Sequence, residues 1–252
     1  MEKLYYNLRR GIRKQYFKHL SPYRDIHVVS FPKSGRTWLR VMLDRMNVVL
    51  QYDHHGTEHE SQKHLEQLPD VKPDYSHKRV LFLVRDPRDT AVSGYFHAKK
   101  REKVFNETLS EFIRDEHHGI KKILTFHSNW YDNQDIPKDF LPIRYEDMQK
   151  DTFGELRKVL DFAGASSIPD KKIRSVIDFG KFDNMQKLEK SGYFNKFYKG
   201  ALNPKNTSDP DSFKTRKGKV GGFKEYLNKE DLDYCKSVMK DMGNPFYTDF
   251  DH

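Results

Sequence analysis

The sequence predicts a single α/β domain with a central, mostly parallel sheet flanked by helices, in a three-layer sandwich. Short apolar segments rich in β-branched residues alternate with segments whose apolar residues recur at helical spacing. This alternation is typical of a parallel sheet with helices on both faces. The chain has 252 residues, enough for one sizeable core, and no Pro/Gly/Ser-rich linker interrupts it before its last fifth. We therefore expect one domain over residues 1–252.

Four strands are predicted, at residues 26–31, 47–52, 79–84 and 140–145. The predicted helices, in chain order, cover residues 3–19, 38–50 (overlapping the second strand), 91–96, 107–132 (as one or two helices), 152–163 and 229–242, with a polar helix and loop at 61–78. Gly164 is a suitable C-cap. Residues 191–215 mix polar residues with aromatic ones and are predicted to form a long loop over the site. The first twenty residues predict a basic amphipathic helix, packed on its own domain or lying on an anionic membrane surface.

The charge of the chain favours anionic ligands. Lys and Arg total 46 and Asp and Glu total 37, which gives a net charge of +9. A nucleotide, a nucleic acid or an anionic membrane surface would all suit this charge, but no recognition helix or RNA-binding motif supports a nucleic-acid partner. The one cysteine, Cys235, excludes an intrachain disulfide and indicates a reducing compartment. With no apolar run of about 18 residues and no signal-peptide core, a cytoplasmic location is predicted.

The turn after the first strand reads Pro32-Lys33-Ser34-Gly35-Arg36-Thr37-Trp38. A strand, a tight polar turn and a helix direct backbone N–H groups and the positive helix end at one point, which suits a phosphate. The segment is not a Walker A loop, because Lys33 precedes Gly35 and no glycine lies upstream in the turn. It resembles the 5′-phosphosulfate-binding loop of sulfotransferases that use 3′-phosphoadenosine 5′-phosphosulfate (PAPS). That resemblance implies a P-loop-like fold.

Further segments resemble the same family, in the same order along the chain. Arg85 and Ser93, eight residues apart, resemble its 3′-phosphate-binding element, and Arg216-Lys217-Gly218-Lys219-Val220-Gly221 resembles its Arg-Lys-Gly-x-x-Gly segment, with Phe223 in place of the usual tryptophan. Tyr145 begins a Tyr-Glu-Asp-Met segment, and Phe182 begins a Phe-x-x-Met segment whose phenylalanine stacks on the purine opposite Trp38. Core packing is the alternative for Phe182. The resemblance implies these donor-binding residues: Lys33, Ser34, Gly35, Arg36, Thr37, Trp38, Arg85, Ser93, Tyr145, Phe182, Arg216, Lys217 and Gly218.

The resemblance also implies a mechanism: in-line sulfuryl transfer from PAPS to a hydroxyl or amine, with 3′-phosphoadenosine 5′-phosphate (PAP) as product and no metal. Lys33 would stabilise the charge that develops on the bridging oxygen, and Ser93 would help to orient Lys33. His54, at the end of the second strand, is predicted to be the general base, and His55 is the second choice. Glu58, Glu60 and His64 are alternatives, and a metal site at His54, His55 and His59 is a further possibility.

The acceptor is predicted only by class, as a small molecule or a saccharide. It would lie against His54 under residues 96–131 and 191–202, whose aromatic content predicts an apolar or aromatic wall. Two other functions remain open from the residues alone: a nucleotide-dependent small-molecule kinase and a non-enzymatic polyanion-binding protein. The oligomeric state cannot be predicted.

Overall fold

The computed structural model describes residues 21–71, 73–198 and 202–247. The predicted N-terminal helix lies outside this range. Four strands form the sheet: β1 (Ile26–Ser30), β2 (Gln51–Asp53), β3 (Arg79–Val84) and β4 (Asp139–Arg144). Each falls on or beside a predicted strand, so the predicted fold class is confirmed.

The sheet order places two basic turns next to each other. The strands lie in the order β2-β1-β3-β4, and every neighbouring pair is parallel. Because β2 lies on one side of β1 and β3 on the other, the strand order reverses between β1 and β3. In an open parallel sheet this reversal leaves a crevice at the carboxyl ends of the strands. The turns after Ser30 and Val84 both open into that crevice.

Helices follow the strands and cover both faces of the sheet. Those of the described residues are α1 (Arg36–Arg45), α2 (Pro87–His97), α3 (Leu109–Arg114), α4 (Ile120–Asp132), α5 (Tyr145–Lys150), α6 (Thr152–Phe162), α7 (Asp170–Phe179), α8 (Phe182–Lys190), α9 (Asn195–Tyr198) and α10 (Lys229–Met242). A π-helical turn, Ala98–Glu102, continues α2. The predicted segment 107–132 forms two helices, and Gly164 follows α6 with a positive φ of 72°.

Side chains that alternate along the strands form two hydrophobic cores, one on each face of the sheet. Val28 and Leu81 pair across β1 and β3 and face the layer that contains α1, α6 and α7. Val29 and Phe82, one residue further along each strand, face the layer that contains α4 and α10. Successive strand residues point to opposite faces, so both faces of a covered sheet must be apolar. The Phe82 ring stacks on Trp130 with 5.6 Å between centroids, which anchors α4 to the sheet.

Two predicted segments differ from the structure. In place of a polar helix, the described residues of 61–78 form short 3₁₀ turns (Leu65–Gln67 and Pro73–Tyr75, with Ser61 ending a third), because two prolines interrupt the segment. The segment 191–215 includes α9 and a 3₁₀ turn, Pro210–Ser212. Phe194 and Leu202 are buried in a small cluster with Val41 and Met185, so part of this segment packs on α1 and α8.

The C-terminal helix α10 completes the second core. Cys235 is fully buried there and forms no disulfide. Burial raises the pKa of its thiol to about 12. Across the described parts of the chain, every helix is too short or too polar to cross a bilayer.

Candidate functional site

The turn after β1 lies at the mouth of the crevice and ends in helix α1. Gly35 is the N-cap of α1, and no side chain caps that end, so the first amides of the helix are open to an anion. Lys33, Arg36 and Thr37 line a cavity of about 640 Å³. Ser34 is buried and does not line it, and its hydroxyl has no partner. The turn thus offers cations and free amides without any acidic side chain in the first turn of the helix.

Gly35 is required by both conformation and contact. Its φ is +95°, in the region that favours glycine. A Cβ atom there would lie 2.4 Å from Cδ2 of Tyr145, which real side chains do not approach. Tyr145 is buried, and its hydroxyl donates a hydrogen bond of 2.9 Å to the carbonyl oxygen of Gly218. The predicted Tyr145 therefore holds the turn after β1 next to the segment 216–221.

Arg85 joins three predicted elements. It follows β3, and its side chain is 10% exposed. Its Nη1 donates to the carbonyl oxygen of Lys33 at 3.3 Å, and its Nη2 donates to that of Lys219 at 3.0 Å. Its guanidinium lies 4.5 Å from the centre of the Tyr145 ring, and its Nε is buried without a hydrogen-bond partner. Ser93, two turns along α2, lines the same cavity, and no hydrogen bond within the described residues joins it to Lys33.

The segment 216–221 closes the cavity from the opposite side. Arg216 donates to the Tyr226 hydroxyl at 2.7 Å and lies 4.2 Å from the Phe96 ring centre, which fixes its guanidinium over the cavity. Asp89 accepts hydrogen bonds of 2.9 Å from the backbone N–H groups of Gly221 and Phe223. The Phe223 side chain is buried under the Arg88 guanidinium, 4.2 Å from its ring centre, so it has a structural role.

One end of the cavity is aromatic. Trp38 and Phe182 both line it, as predicted for an adenine sandwich. The indole N–H of Trp38 donates to the carbonyl oxygen of Gly180 at 2.8 Å, which fixes the plane of the ring. Phe182 lies against Gly218, whose added Cβ atom would be 3.1 Å from the Phe182 ring. This half-buried Phe182 contrasts with Met185, three residues later, which is buried in the core.

Lys33 lies in a region of strong positive potential. Removal from water lowers the pKa of Lys33 well below its usual range, and the nearby charges of Lys214 and Arg101 lower it further. Glu189 opposes this effect. The backbone of Lys33 has a positive φ of 74°. An anion bound here would restore the charged form of Lys33, because it would add an opposite charge at close range.

His54, the predicted base, lines the cavity but has both ring nitrogens engaged. Its Nδ1 donates to the carbonyl oxygen of Ser30 at 2.8 Å, since a carbonyl can only accept. Nε2 is therefore the unprotonated nitrogen and accepts a hydrogen bond from Nη2 of Arg36. Burial and the Arg36 charge lower the pKa of His54 to about 3, so the ring is neutral at physiological pH. Nη1 of Arg36 is buried without a partner.

Some of the alternative bases line the cavity and others do not. His55 packs against Trp130, with 5.1 Å between ring centroids, and does not line the cavity. Nε2 of His64 is hydrogen-bonded to Oε2 of Glu116 at 2.6 Å, and His64 does not line the cavity. Glu58, His59 and Glu60 do line the cavity. Within the described residues, the one group with metal-ligand spacing is not the predicted histidine trio but Glu60, His97 and Glu102, whose ligand atoms lie within 4.8 Å of one another.

Several titratable residues that line the cavity were missed by sequence reasoning. His97 lies one turn after Ser93 on the same face of α2, a spacing of four residues that could have indicated it. Glu102 and Arg101 follow in the π-helical turn, and Lys214 precedes Arg216 by two residues. No sequence pattern indicates Glu102, Arg101 or Lys214, because their positions in space depend on the path of the loops. Of the predicted wall at 191–202, the described residues do not line the cavity.

The cavity thus has an aromatic end, a cationic centre and a charged far end, at the switch point of a parallel sheet. Its cationic centre is built from Lys33, Arg36, Arg85, Arg216 and Lys217, a set that suits a polyanionic ligand. A family model described as the sulfotransferase domain matches residues 74–244, more than half of the chain. The chain belongs to the sulfotransferase family.

Named relatives agree with this assignment. Sulfotransferase 2A6 of Mus musculus is 30% identical over 125 residues, which are 47% of this chain and 42% of that protein. The match therefore spans less than half of that relative's length. Flavonol 3-sulfotransferase of Flaveria bidentis is 24% identical over 254 residues, with 83% of this chain and 78% of that protein covered.

Solved structures share the fold. A mouse sulfotransferase complexed with PAP superposes with a TM-score of 0.61 at 20% identity, over 88% of this chain and 84% of that one. At this identity the likeness establishes the architecture and leaves the residue roles to be argued from the site.

Proposed function

We propose that this protein is an enzyme that transfers the sulfuryl group of PAPS to a hydroxyl or amine of a small acceptor and releases PAP. The observation that supports it most is the convergence of the turn after β1, Arg85 and the segment 216–221 on one cavity. Arg85 touches the other two elements directly. Two separate groups of cations suit a donor with phosphates at two positions of one ribose.

The residues present fit such a donor. Three arginine nitrogens are buried in this region without hydrogen-bond partners: Nη1 of Arg36, Nε of Arg85 and Nε of Arg216. A buried donor without an acceptor is costly, at roughly 1–3 kcal/mol or more, so an anion that met these groups would bind favourably. Gly35 and Gly218 let the rings of Tyr145 and Phe182 pack directly against the backbone beside the cavity.

The donor, when bound, supplies an activated sulfuryl group; the protein supplies position and charge. Lys33 stabilises the negative charge that develops on the bridging oxygen as the S–O bond to PAP breaks. The amides at the start of α1 hold the 5′-phosphate, and Arg85, Ser93 and Arg216 hold the 3′-phosphate. Trp38 and Phe182 bind the adenine between them, a contact worth about 1–3 kcal/mol.

His54 accepts the acceptor's proton through Nε2. The hydrogen bond from Nδ1 to Ser30 supports this role, because it fixes the tautomer that leaves Nε2 unprotonated. Arg36 occupies that lone pair in the present structure. We infer that Arg36 turns to the donor when it binds, since its Nη1 is already partnerless and the donor offers anionic oxygens. The base is then exposed only after the donor is in place.

The test is calorimetric titration with PAP, with AMP as the control ligand. We expect PAP to bind at least about tenfold more tightly than AMP, because the 3′-phosphate meets two arginines. Equal affinity would refute the proposal. Turnover with labelled PAPS should then fall by a factor of about 10²–10³ in Lys33→Met, while PAP affinity changes much less. Turnover of ATP with magnesium instead would indicate a kinase.

The location proposed for the enzyme is the cytoplasm. A chain with a single cysteine forms no intrachain disulfide, which is typical of proteins in a reducing compartment.

A further inference from the structure

The far end of the cavity, beyond Lys33, is lined by titratable side chains. Eight residues make up this end: Glu58, His59, Glu60, His97, Arg101, Glu102, Lys205 and Lys214. They lie close to one another, since His97 feels the charges of Lys33 and Lys214, and Glu102 those of Glu60, Lys205 and Lys214. The aromatic and aliphatic lining residues, among them Trp38, Phe182 and Met185, belong to the adenine end.

Hydrogen-bond donors and acceptors are interleaved at this end. A carboxylate oxygen of Glu60, one of Glu102 and a ring nitrogen of His97 all lie within 4.8 Å of one another. Nε2 of His97 lies 3.5 Å from Oε1 of Glu102, and the His97 side chain is only 8% exposed. Nδ1 of His97 is buried and has no hydrogen-bond partner. A buried polar atom without a partner beside a cavity is a place where a ligand's polar group is stabilised.

Side chains of both signs of charge meet at this end. Burial and the neighbouring Glu60 raise the pKa of Glu102. Burial and the nearby arginines lower the pKa of Lys214 to about 8. Three carboxyl groups, on Glu58, Glu60 and Glu102, share this end with the cationic side chains of Lys205, Lys214 and Arg101. A ligand with strong net charge gains little here. Hydroxyl groups, which both donate and accept, match every side chain of the set.

We propose that the acceptor is a compact, neutral, polyhydroxylated molecule of the saccharide or polyol class, bound by Glu60, Glu102, His97 and Lys214. This inference rests on the proposed function. One acceptor hydroxyl oxygen forms the new S–O bond while the S–O bond to PAP breaks, and the hydroxyl proton passes to Nε2 of His54. A flat apolar acceptor such as the flavonol named for one relative would leave these polar groups desolvated and unpaired.

The experiment uses the full chain, labelled PAPS and two acceptor mixtures of equal total concentration. One contains monosaccharides, disaccharides and polyols; the other contains phenols, flavonols and hydroxysteroids. We expect labelled product from the first mixture, and a shift of the His97 imidazole resonance when that mixture is added at saturating PAP. Product from the second mixture alone overturns the inference, as does the absence of both product and shift with the first. A chain that does not bind PAP would refute the proposed function instead.

Variants of Glu102 sharpen the test. Glu102→Gln should raise KM for the sulfated saccharide by about tenfold or more, the loss expected for a hydrogen bond to a charged group, and leave PAP affinity unchanged. Glu102→Leu should raise that KM further and lower KM for the phenols. Glu107→Gln, at an exposed glutamate outside the cavity, is the matched control and should change neither. Equal KM values in Glu102→Gln and the wild type overturn the inference.

Tests with two cationic ligands, glucosamine and Mn²⁺, cover the remaining outcomes. Glucosamine bound much more tightly than glucose would indicate an ammonium site rather than a hydroxyl site. Calorimetry with manganese chloride at saturating PAP tests a metal at Glu60, His97 and Glu102. Micromolar binding that disappears in Glu102→Gln would overturn the saccharide assignment. We expect no heat above dilution, because Lys33, Lys214 and Arg101 place positive charge around His97.

Discussion

Glu189 holds the segment that carries Lys214 and Arg216 into the site, and its removal gives a sharp prediction. It lies on α8, and its side chain is only 1% exposed. Its two carboxylate oxygens accept the backbone N–H groups of Lys214 at 2.5 Å and of Thr215 at 2.8 Å. The same carboxylate lies 4.0 Å from Nη1 of Arg101, whose side chain is 3% exposed.

The magnitude follows from what Glu189→Ala leaves behind. Two backbone donors lose their acceptor, at about 1–3 kcal/mol each where no water replaces it. Arg101 loses its buried carboxylate, and breaking such a pair costs about 3–5 kcal/mol. These losses overlap, because one carboxylate serves all three groups, so we expect a loss of about 3–5 kcal/mol in the free energy of unfolding. With a urea m-value of about 3 kcal/mol/M, the midpoint falls by about 1–1.7 M.

Urea unfolding followed by circular dichroism and by Trp fluorescence measures this loss. Glu189→Gln keeps an oxygen acceptor and should lose less. Glu225→Ala is the matched control: it removes two ion pairs, to Lys217 and Lys219, but from an exposed carboxylate, and should barely move the midpoint. If Glu189→Ala and Glu225→Ala shift the midpoint equally, the assignment of Glu189 as the support of the 212–216 segment is wrong.

Three further predictions concern the site. Arg36→Ala removes a cation that lowers the pKa of His54, so that pKa rises from about 3 and the acid limb of kcat/KM moves to higher pH; an unchanged His54 titration by NMR contradicts this. Gly35→Ala should reduce PAP affinity by tenfold or more because its Cβ collides with a buried ring, whereas Gly164→Ala, with a similar φ and nothing within 4 Å, should only lower stability by about 1 kcal/mol. Phe182→Ala should weaken PAP binding by about 10–100-fold in calorimetry; unchanged binding assigns Phe182 to packing alone.

The fold was predictable because its signals are local. β1 and β3 read as buried strands from their own residues, and the turns that follow them read as anion-binding turns from composition alone. A parallel arrangement then places those turns at one edge, without any knowledge of long-range contacts. Of the segments predicted as helices, 61–78 failed because its polar pattern came from solvent exposure, which 3₁₀ turns share with helices.

The site was predictable only where one motif carries several residues. Lys33 and Arg36 share a turn, so one resemblance indicates both. His97, at the end of α2, and Lys214 belong to elements far apart in sequence, and they meet through the support that Glu189 gives to the 212–216 segment. The engagement of His54 by Arg36 depends on side-chain rotamers, which no sequence pattern encodes.

The rate at which thiol reagents modify Cys235 reports on local opening of the folded chain. Thiol reagents attack the thiolate, and the raised pKa of about 12 leaves almost none of it at neutral pH in the closed protein. Because the chain has no other cysteine, any labelling counts excursions in which α10 leaves the sheet. The rate of modification thus converts directly into the free energy of that opening, with no introduced probe. Comparing this rate with and without PAP measures how much a ligand in the crevice stabilises the layer that contains α10.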